Sequence, residues 1–425
     1  MIIPRILDFY KLRRQQWLGA EELEKIQQEK LLAMIHHAYQ NVRYYRRAFD
    51  SAGISPEDIK TVDDLANVPI TRREDLQQLP FEDITASNFN LKGCKRLLTA
   101  GSSGMPLTVY RTGNEDDFFD TVWARTFLED GQNIFDKIAE YHFYQPIPHR
   151  WFEHLGIWSR TVLSVLDEPK KHIETLRRVR PDVMRGNPFD LVNTAIALQQ
   201  AKIQEVNPRL IFSMGSLLDQ PSRGLMESIL GAEVFDCYGA TETGCVAWEC
   251  TAHRGYHMNV DTTVVELINE GELASKGQRG RIVCTGLHSF SMPFIRYDTG
   301  DVGILSDEKC QCGRALPLLK SLDGRADDFF VSADGTLNSP SVIVNQIKLI
   351  TGIQQFKVIQ ETETTVTAQI VPNKNASPET SERVRETMKK IMGNSLDVQV
   401  ELVDNIPPDP SGKRRSLVSR VKKEF

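Results

Sequence analysis

Leu210 to Met214 reads as a short strand, about Pro221 to Leu230 as a helix, and Ala232 to Cys237 as a second strand. Short β-branched runs alternating with helical patterns are the texture of an α/β sheet protein. Gly280 to Gly286 (GRIVCTG) is another short strand, and residues 20 to 50 read as helix, with Leu23, Ile26, Leu31, Ile35, Ala38 and Val42 near helical spacing. Thr61-Val-Asp-Asp64 has the form of a capping box opening a short helix. Past Asp327 the texture changes: Phe356 to Gln360 and Thr364 to Pro372 look like paired strands, 378 to 393 like an amphipathic helix, and Asp397 to Val403 like a further strand. The expected fold is α/β, with a large multi-subdomain N-terminal α/β domain over 1–326 and a small α+β C-terminal domain over 327–425.

Charge narrows the function. With 51 basic against 57 acidic residues the net charge is −6. A mild acidic balance gives no general pull toward nucleic acid or an anionic membrane, so an anionic substrate needs a local basic site. No stretch approaches the roughly 18 to 20 apolar residues that span a bilayer. The opening MIIPRILDFYKLRRQQW is interrupted by Arg5, Asp8 and Lys11 and lacks the form of a secretory signal, so a cytoplasmic protein is expected. Seven cysteines, odd in number and irregularly spaced, argue against a disulfide framework.

Five segments carry chemistry. In Leu98-Thr-Ala-Gly-Ser-Ser-Gly-Met-Pro106, Gly101 and Gly104 let the backbone turn so that amides converge on phosphate oxygens, while Thr99, Ser102 and Ser103 offer hydroxyls. It is not a Walker loop, since the Gly-Lys-Ser/Thr ending is missing. Phe235-Asp-Cys-Tyr-Gly-Ala-Thr-Glu-Thr-Gly244 follows an apolar strand, and α/β sheets place ligands at strand ends. There Tyr238 can lie against a purine and Glu242 can hold Mg²⁺. Phe294-Ile-Arg-Tyr-Asp-Thr-Gly-Asp301 sets an arginine and two aspartates within a few residues, suited to a sugar diol and a phosphate, with Asp301 the candidate for the ribose. Leu322-Asp-Gly-Arg-Ala-Asp-Asp-Phe329 sits at the change of texture and reads as a hinge. Pro407-Pro-Asp-Pro-Ser-Gly-Lys-Arg414 presents Lys413 beside a glycine, where it can neutralise charge on an α-phosphate. Each segment alone has a plain alternative as a surface loop or turn.

Taken in order and spacing, the five resemble the motifs of the adenylate-forming superfamily of acyl-CoA ligases, adenylation domains and luciferases. Within it the chain resembles the short phenylacetate–CoA ligase branch, which includes CapK-type proteins. Ala38-Tyr-Gln-Asn-Val-Arg-Tyr-Tyr-Arg46 and Pro181-Asp-Val-Met-Arg-Gly186 are similar to segments typical of that branch. The resemblance implies the adenylate-forming fold with a mobile small domain. It also implies catalytic roles for Lys413, Glu242 and Thr241, a hinge at Asp327, and ATP or AMP contacts from Thr99, Gly101, Ser102, Ser103, Gly104, Gly215, Ser216, Tyr238, Gly239, Asp301 and Arg325. Two positions depart from the pattern: Met105 stands where the phosphate loop usually has lysine, and Ser213-Met-Gly-Ser216 where a Gly-Gly-Glu-like segment is usual.

Cys250, His257, Cys310 and Cys312 combine thiolate and imidazole ligands that suit tetrahedral Zn²⁺, although Cys250-x₂-His253 is also a workable spacing. Glu249-Cys250, Gly255-Tyr-His257 and Cys310-x-Cys312 resemble the structural zinc pattern of some phenylacetate-ligase relatives. Cys94, Cys237, Cys245 and Cys284 lack ligand-like partners and read as core, and His142 as packing. The resemblance implies ATP-dependent activation of a carboxylic acid, aryl or arylacetic by family default, to an acyl-adenylate, followed by thioester formation with coenzyme A. Transfer to an amine, a hydroxyl or a carrier-protein thiol, and a non-catalytic nucleotide-binding protein, are the competing readings. ATP, Mg²⁺, structural Zn²⁺ and coenzyme A are the implied small partners, nucleic acid and membrane are excluded, and a homodimer is the expected assembly.

Overall fold

The computed structural model describes residues 2–99, 107–142, 151–167, 169–407 and 415–421. The chain forms two compact units. The first comprises Met1–Asp136, Phe235–Thr299 and Gly303–Ser321; the second comprises Lys137–Val234, Gly300–Val302 and Leu322–Phe425.

In the first unit, antiparallel pairing joins the strands Glu233–Ala240, Gly244–Glu249, Tyr256–Met258 and the start of Leu318–Arg325. Thr263–Asn269 pairs antiparallel with Arg279–Gly286. The expected helix over 20–50 is two helices, Ala20–Asn41 and Arg43–Ala52, parted at Val42, whose backbone is extended at φ −117° and ψ 114°. Asn41 turns its amide back onto the carbonyl of His37, the local competition that makes asparagine a poor helix interior. Leu31, Ile35, Ala38, Tyr45 and Phe49 bury one face of the pair against Val264, Leu287 and Ile295. The contacts within Thr61–Asp64 do form, but Asp64 is the acceptor for Thr61 and the helix that follows is the 3₁₀ turn Asp63–Asn67.

In the second unit, Leu210–Met214, Val183–Gly186, Ile138–His142 and Arg160–Ser164 lie side by side in that order, all parallel. The helix Gln220–Leu230 matches the expected one and begins where Asp219 accepts from the backbone of Ser222 at 2.9 Å. Beyond residue 330 a separate four-stranded sheet runs Asp397–Leu402, Thr365–Pro372, Ile353–Thr362, Leu417–Ser419. The helices Pro340–Lys348 and Pro378–Met392 supply Ile343, Ile347, Val384 and Met388 to its core, with Phe330, Val358, Val366 and Ile370. This is the α+β pattern the sequence indicated after Asp327, down to the antiparallel pairing of its first two long strands.

Cys237, Cys245 and Cys284 are buried as expected, whereas Cys94 is partly exposed. It follows the short turn Leu91–Gly93 at the start of a two-stranded hairpin, where no second layer covers it. His142 is no packing residue: its Nε2 stands 3.0 Å from Oε1 of Glu140.

Candidate functional site

The strands Lys95–Leu98 and Thr108–Arg111 form an antiparallel hairpin whose connection carries the Gly/Ser-rich motif. Thr99 fastens the two ends of that connection. Its backbone N–H donates to the Leu107 carbonyl at 3.0 Å, and its hydroxyl accepts from the Leu107 N–H at 2.9 Å. Gly101, Ser102, Ser103, Gly104 and Met105 lie outside the described residues, as does Lys413.

Glu242 occupies the turn between the strands Glu233–Ala240 and Gly244–Glu249, with Thr241 before it. Gly239 is required by that hairpin, since a Cβ there would meet the carbonyl oxygen of Gly244 at 2.4 Å. The Glu242 side chain is buried, and the Tyr297 hydroxyl donates to its Oε1 at 2.7 Å. A hydrogen bond to a carboxylate contributes roughly 1.5–3 kcal/mol, enough to fix which oxygen faces outward. Arg111 donates to the carbonyl of Thr241, setting the turn from the other side. Tyr238, in the same hairpin, donates to Thr299 at 3.2 Å, and Thr299 stands two residues beyond Tyr297 on one strand. The second and third motifs therefore lie side by side.

A residue absent from the sequence expectations joins the first motif to the second. Arg73 opens the short helix Arg73–Gln77, and its side chain is 11% exposed. One terminal nitrogen donates to the Thr99 hydroxyl and stands 4.0 Å from Glu242 Oε1. Its Nε is shut off from solvent without a hydrogen-bond partner among the described residues. A cation separated by 169 positions from the carboxylate it faces leaves no local signal.

Two of the three charges expected at the third motif are committed elsewhere. Arg296 is buried; its guanidinium reaches Glu266 at 3.1 Å and the carbonyl of Val68 at 2.6 Å. Asp298 is held by Arg281 at 2.6 Å. Asp301 stands 4.0 Å from Arg325. Gly300 makes this possible, because a Cβ there would meet the Arg325 guanidinium at 2.4 Å. Asp327 is exposed within the turn Ala326–Asp328, and Gly215 and Ser216 are exposed just past the strand Leu210–Met214.

The Cys/His set is gathered. Ligand atoms of Cys250, His257, Cys310 and Cys312 all lie within 4.8 Å of one another. Cys250 and Cys310 Sγ are 3.6 Å apart, and Cys312 Sγ is 3.2 Å from His257 Nε2. His257 Nδ1 faces the Leu316 carbonyl at 3.4 Å, which leaves Nε2 for the sulfurs. Three sulfurs and one imidazole in a buried pocket fit a tetrahedral zinc. His253 does not join them; it faces Glu249 at 3.5 Å from the turn before the strand Tyr256–Met258. Register decides between the histidines, since the strand sets His257 opposite both Trp248 and Leu318.

Residues 330–420 match the CapK C-terminal domain family. The phenylacetate–coenzyme A ligase of Aromatoleum evansii is 28% identical over 323 residues, 73% of this chain and 72% of the relative. The CapK protein of Staphylococcus aureus is 19% identical over 423 residues, 94% and 90% of the two chains. The chain is similar to phenylacetate–CoA ligases over about three quarters of its length and to the CapK protein over nearly all of it. A similar fold extends over the chain: 2-hydroxyisobutyryl-CoA ligase, solved with R3-HIB-AMP in its postadenylation state, superposes with a TM-score of 0.79 at 19% identity, covering 96% of this chain and 91% of that one. Among the described residues no helix is long and apolar enough to cross a membrane.

Proposed function

We propose that this protein is an AMP-forming acid–thiol ligase that activates a carboxylic acid with ATP and passes the acyl group to coenzyme A. The observation that carries the reading is that Tyr238 and Glu242 from the second motif touch Thr299 and Tyr297 from the third, while Thr99 from the first is linked to Glu242 through Arg73. The A. evansii relative is a phenylacetate–coenzyme A ligase, and the related fold of 2-hydroxyisobutyryl-CoA ligase holds an acyl-adenylate.

In the first step a carboxylate oxygen of the acid bonds to the α-phosphorus of ATP, and the bond from that phosphorus to pyrophosphate breaks. The chain supplies position and charge more than covalent chemistry. Tyr238 lies against the adenine and Asp301 takes the ribose hydroxyls. Glu242, aimed by Tyr297, would hold Mg²⁺, which would supply positive charge against the phosphates when bound. Thr241 and Lys413 face the reacting phosphate. In the second step the thiol sulfur bonds to the acyl carbon, AMP leaves on its phosphate oxygen, and the thiol proton passes to solvent. Rotation at Asp327 withdraws Lys413 between the steps, since one lysine cannot serve both from one pose. Cys250, His257, Cys310 and Cys312 would hold a structural zinc, four protein ligands leaving no open position for catalysis. The acid is aryl or arylacetic, and the enzyme works in the cytoplasm as a homodimer.

ATP–pyrophosphate exchange over a panel of acids, with and without coenzyme A, tests this. Acid-dependent exchange without coenzyme A, and thioester only with it, is the expected result. Exchange without thioester moves the acyl group to another acceptor. ATP or AMP binding with no exchange for any acid overturns the catalytic reading.

A further inference from the structure

ATP brings about four negative charges to its site at neutral pH, and the outer phosphates carry most of them. The superfamily's usual answer, a lysine in the phosphate loop, is missing here, because position 105 is methionine. Resting on the adenylating reading above, we infer that Arg73 is the cation that receives the outer phosphates of ATP in this chain.

Arg73 has capacity to spare. A guanidinium carries five N–H donors in a fixed fork. Here it donates to the Thr99 hydroxyl, while the 4.0 Å separation from Glu242 is a charge contact too long for a hydrogen bond. Glu242 already accepts from Tyr297 at 2.7 Å and does not lock the arginine in a bidentate pair. The Nε of Arg73, away from solvent, has no hydrogen-bond partner among the described residues. Donors shielded from water are costly to leave unpaired. A ligand with several acceptor oxygens set against the guanidinium satisfies its remaining donors. Thr99, which closes the ends of the phosphate-loop connection, fixes where the arginine points. A purely structural arginine, present to neutralise the buried Glu242, would instead be expected to pair with that carboxylate at hydrogen-bond distance.

The test compares two nucleotides. Equilibrium binding of MgATP and of AMP is measured on the full chain by titration calorimetry. Arg73→Ala is expected to weaken MgATP by about 10- to 100-fold and AMP by no more than about twofold, the size of one or two charge-assisted hydrogen bonds. Arg73→Lys keeps much of the ATP affinity. Adding Met105→Lys to Arg73→Ala is expected to recover about tenfold of it, because a loop lysine returns the missing charge. Arg73→Gln, which deletes the charge and keeps a donor for Thr99, gives the same reading if Arg73→Ala fails to fold. Equal loss of AMP and ATP, unchanged ATP affinity, or no recovery with Met105→Lys overturns the inference. A wild-type chain that binds neither nucleotide fails the adenylating reading itself, a separate outcome.

Discussion

Arg415 donates a hydrogen bond to Oδ1 of Asp328, the residue after the proposed hinge Asp327. Burial pushes the Asp328 carboxyl above its usual range, and the guanidinium of Arg415 pulls the other way. Arg415 also stands two positions after Lys413. Gln360 strengthens the tie: it donates to the Val331 carbonyl at 2.6 Å, accepts from the Val331 N–H at 3.0 Å, and accepts from Ser419 at 2.9 Å. Side-chain contacts therefore tie the turn Ala326–Asp328 and the segment just after it to the strand Leu417–Ser419 and the residues before that strand. Arg415→Ala leaves a mostly buried carboxylate without its cation. It is expected to cost about 2 kcal/mol, below the 3–5 kcal/mol of a fully buried pair because Asp328 keeps some exposure. Adding Asp328→Asn should restore stability in a urea melt while ATP–pyrophosphate exchange stays low, since the Arg415 anchor two positions after Lys413 is then lost. Full recovery of exchange in the double variant would sink the positioning role.

The Tyr297–Glu242 bond makes a second prediction. Removing the hydroxyl in Tyr297→Phe frees the carboxylate to rotate but leaves its charge. The Mg²⁺ concentration for half-maximal exchange should rise about 10- to 100-fold, the scale of the roughly 1.5–3 kcal/mol of a hydrogen bond to a carboxylate, with the saturated rate little changed. Glu242→Gln removes the proposed ligand and should abolish exchange at any Mg²⁺ concentration. A Tyr297→Phe variant with an unaltered Mg²⁺ curve would show that the tyrosine does not orient the carboxylate.

What the sequence disclosed and what it hid follow from distance along the chain. Strand and helix in the Leu210 to Cys237 region, and the small domain past Asp327, rest on local periodicity and were legible. The second and third motifs meet in space, whereas Gly101 to Met105 of the first and Lys413 of the fifth lie outside the described residues. Arg296, Asp298 and Asp301 are indistinguishable as charges in a row, yet Glu266 and Arg281 on other strands claim the first two. Arg73 and Arg415 owe their places to partners far along the chain, and no spacing rule reports such pairs. His253 and His257 were both permitted by spacing, and only strand register separated them.

The gathered Cys/His site predicts one zinc per purified chain by elemental analysis. Cys310→Ser or Cys312→Ser should lose the ion and lower the unfolding midpoint by several degrees, because metal binding to a site absent from the unfolded chain adds to folding stability. Exchange activity per folded molecule should persist at low temperature if the ion is structural. Wild-type protein without zinc and with an unchanged melt on chelator treatment would identify the set as four buried packing residues.

Acid should destabilise the protein through His288. Its ring stacks on Phe118 at 3.8 Å, and its Nε2, shielded from solvent, has no hydrogen-bond partner among the described residues. Burial, helped by the charges of Lys30 and Lys11, pushes the imidazole from an ordinary 6.5 down to about 3. The sign follows from the proton count. Below about pH 6.5 the unfolded chain binds a proton at this histidine and the folded chain does not, so falling pH favours unfolding until the folded value near 3 is reached. The stability this group contributes is whole above pH 6.5 and is lost on the way down, at a limit of about 1.4 kcal/mol per pH unit. Urea melts at pH 7 and pH 5 should therefore differ more for wild type than for His288→Gln, which cannot take up the proton in either state. Were the two proteins to lose equal stability over that interval, the imidazole would have to be charged already in the folded chain, and the neutral packing of its ring against Phe118 would be wrong.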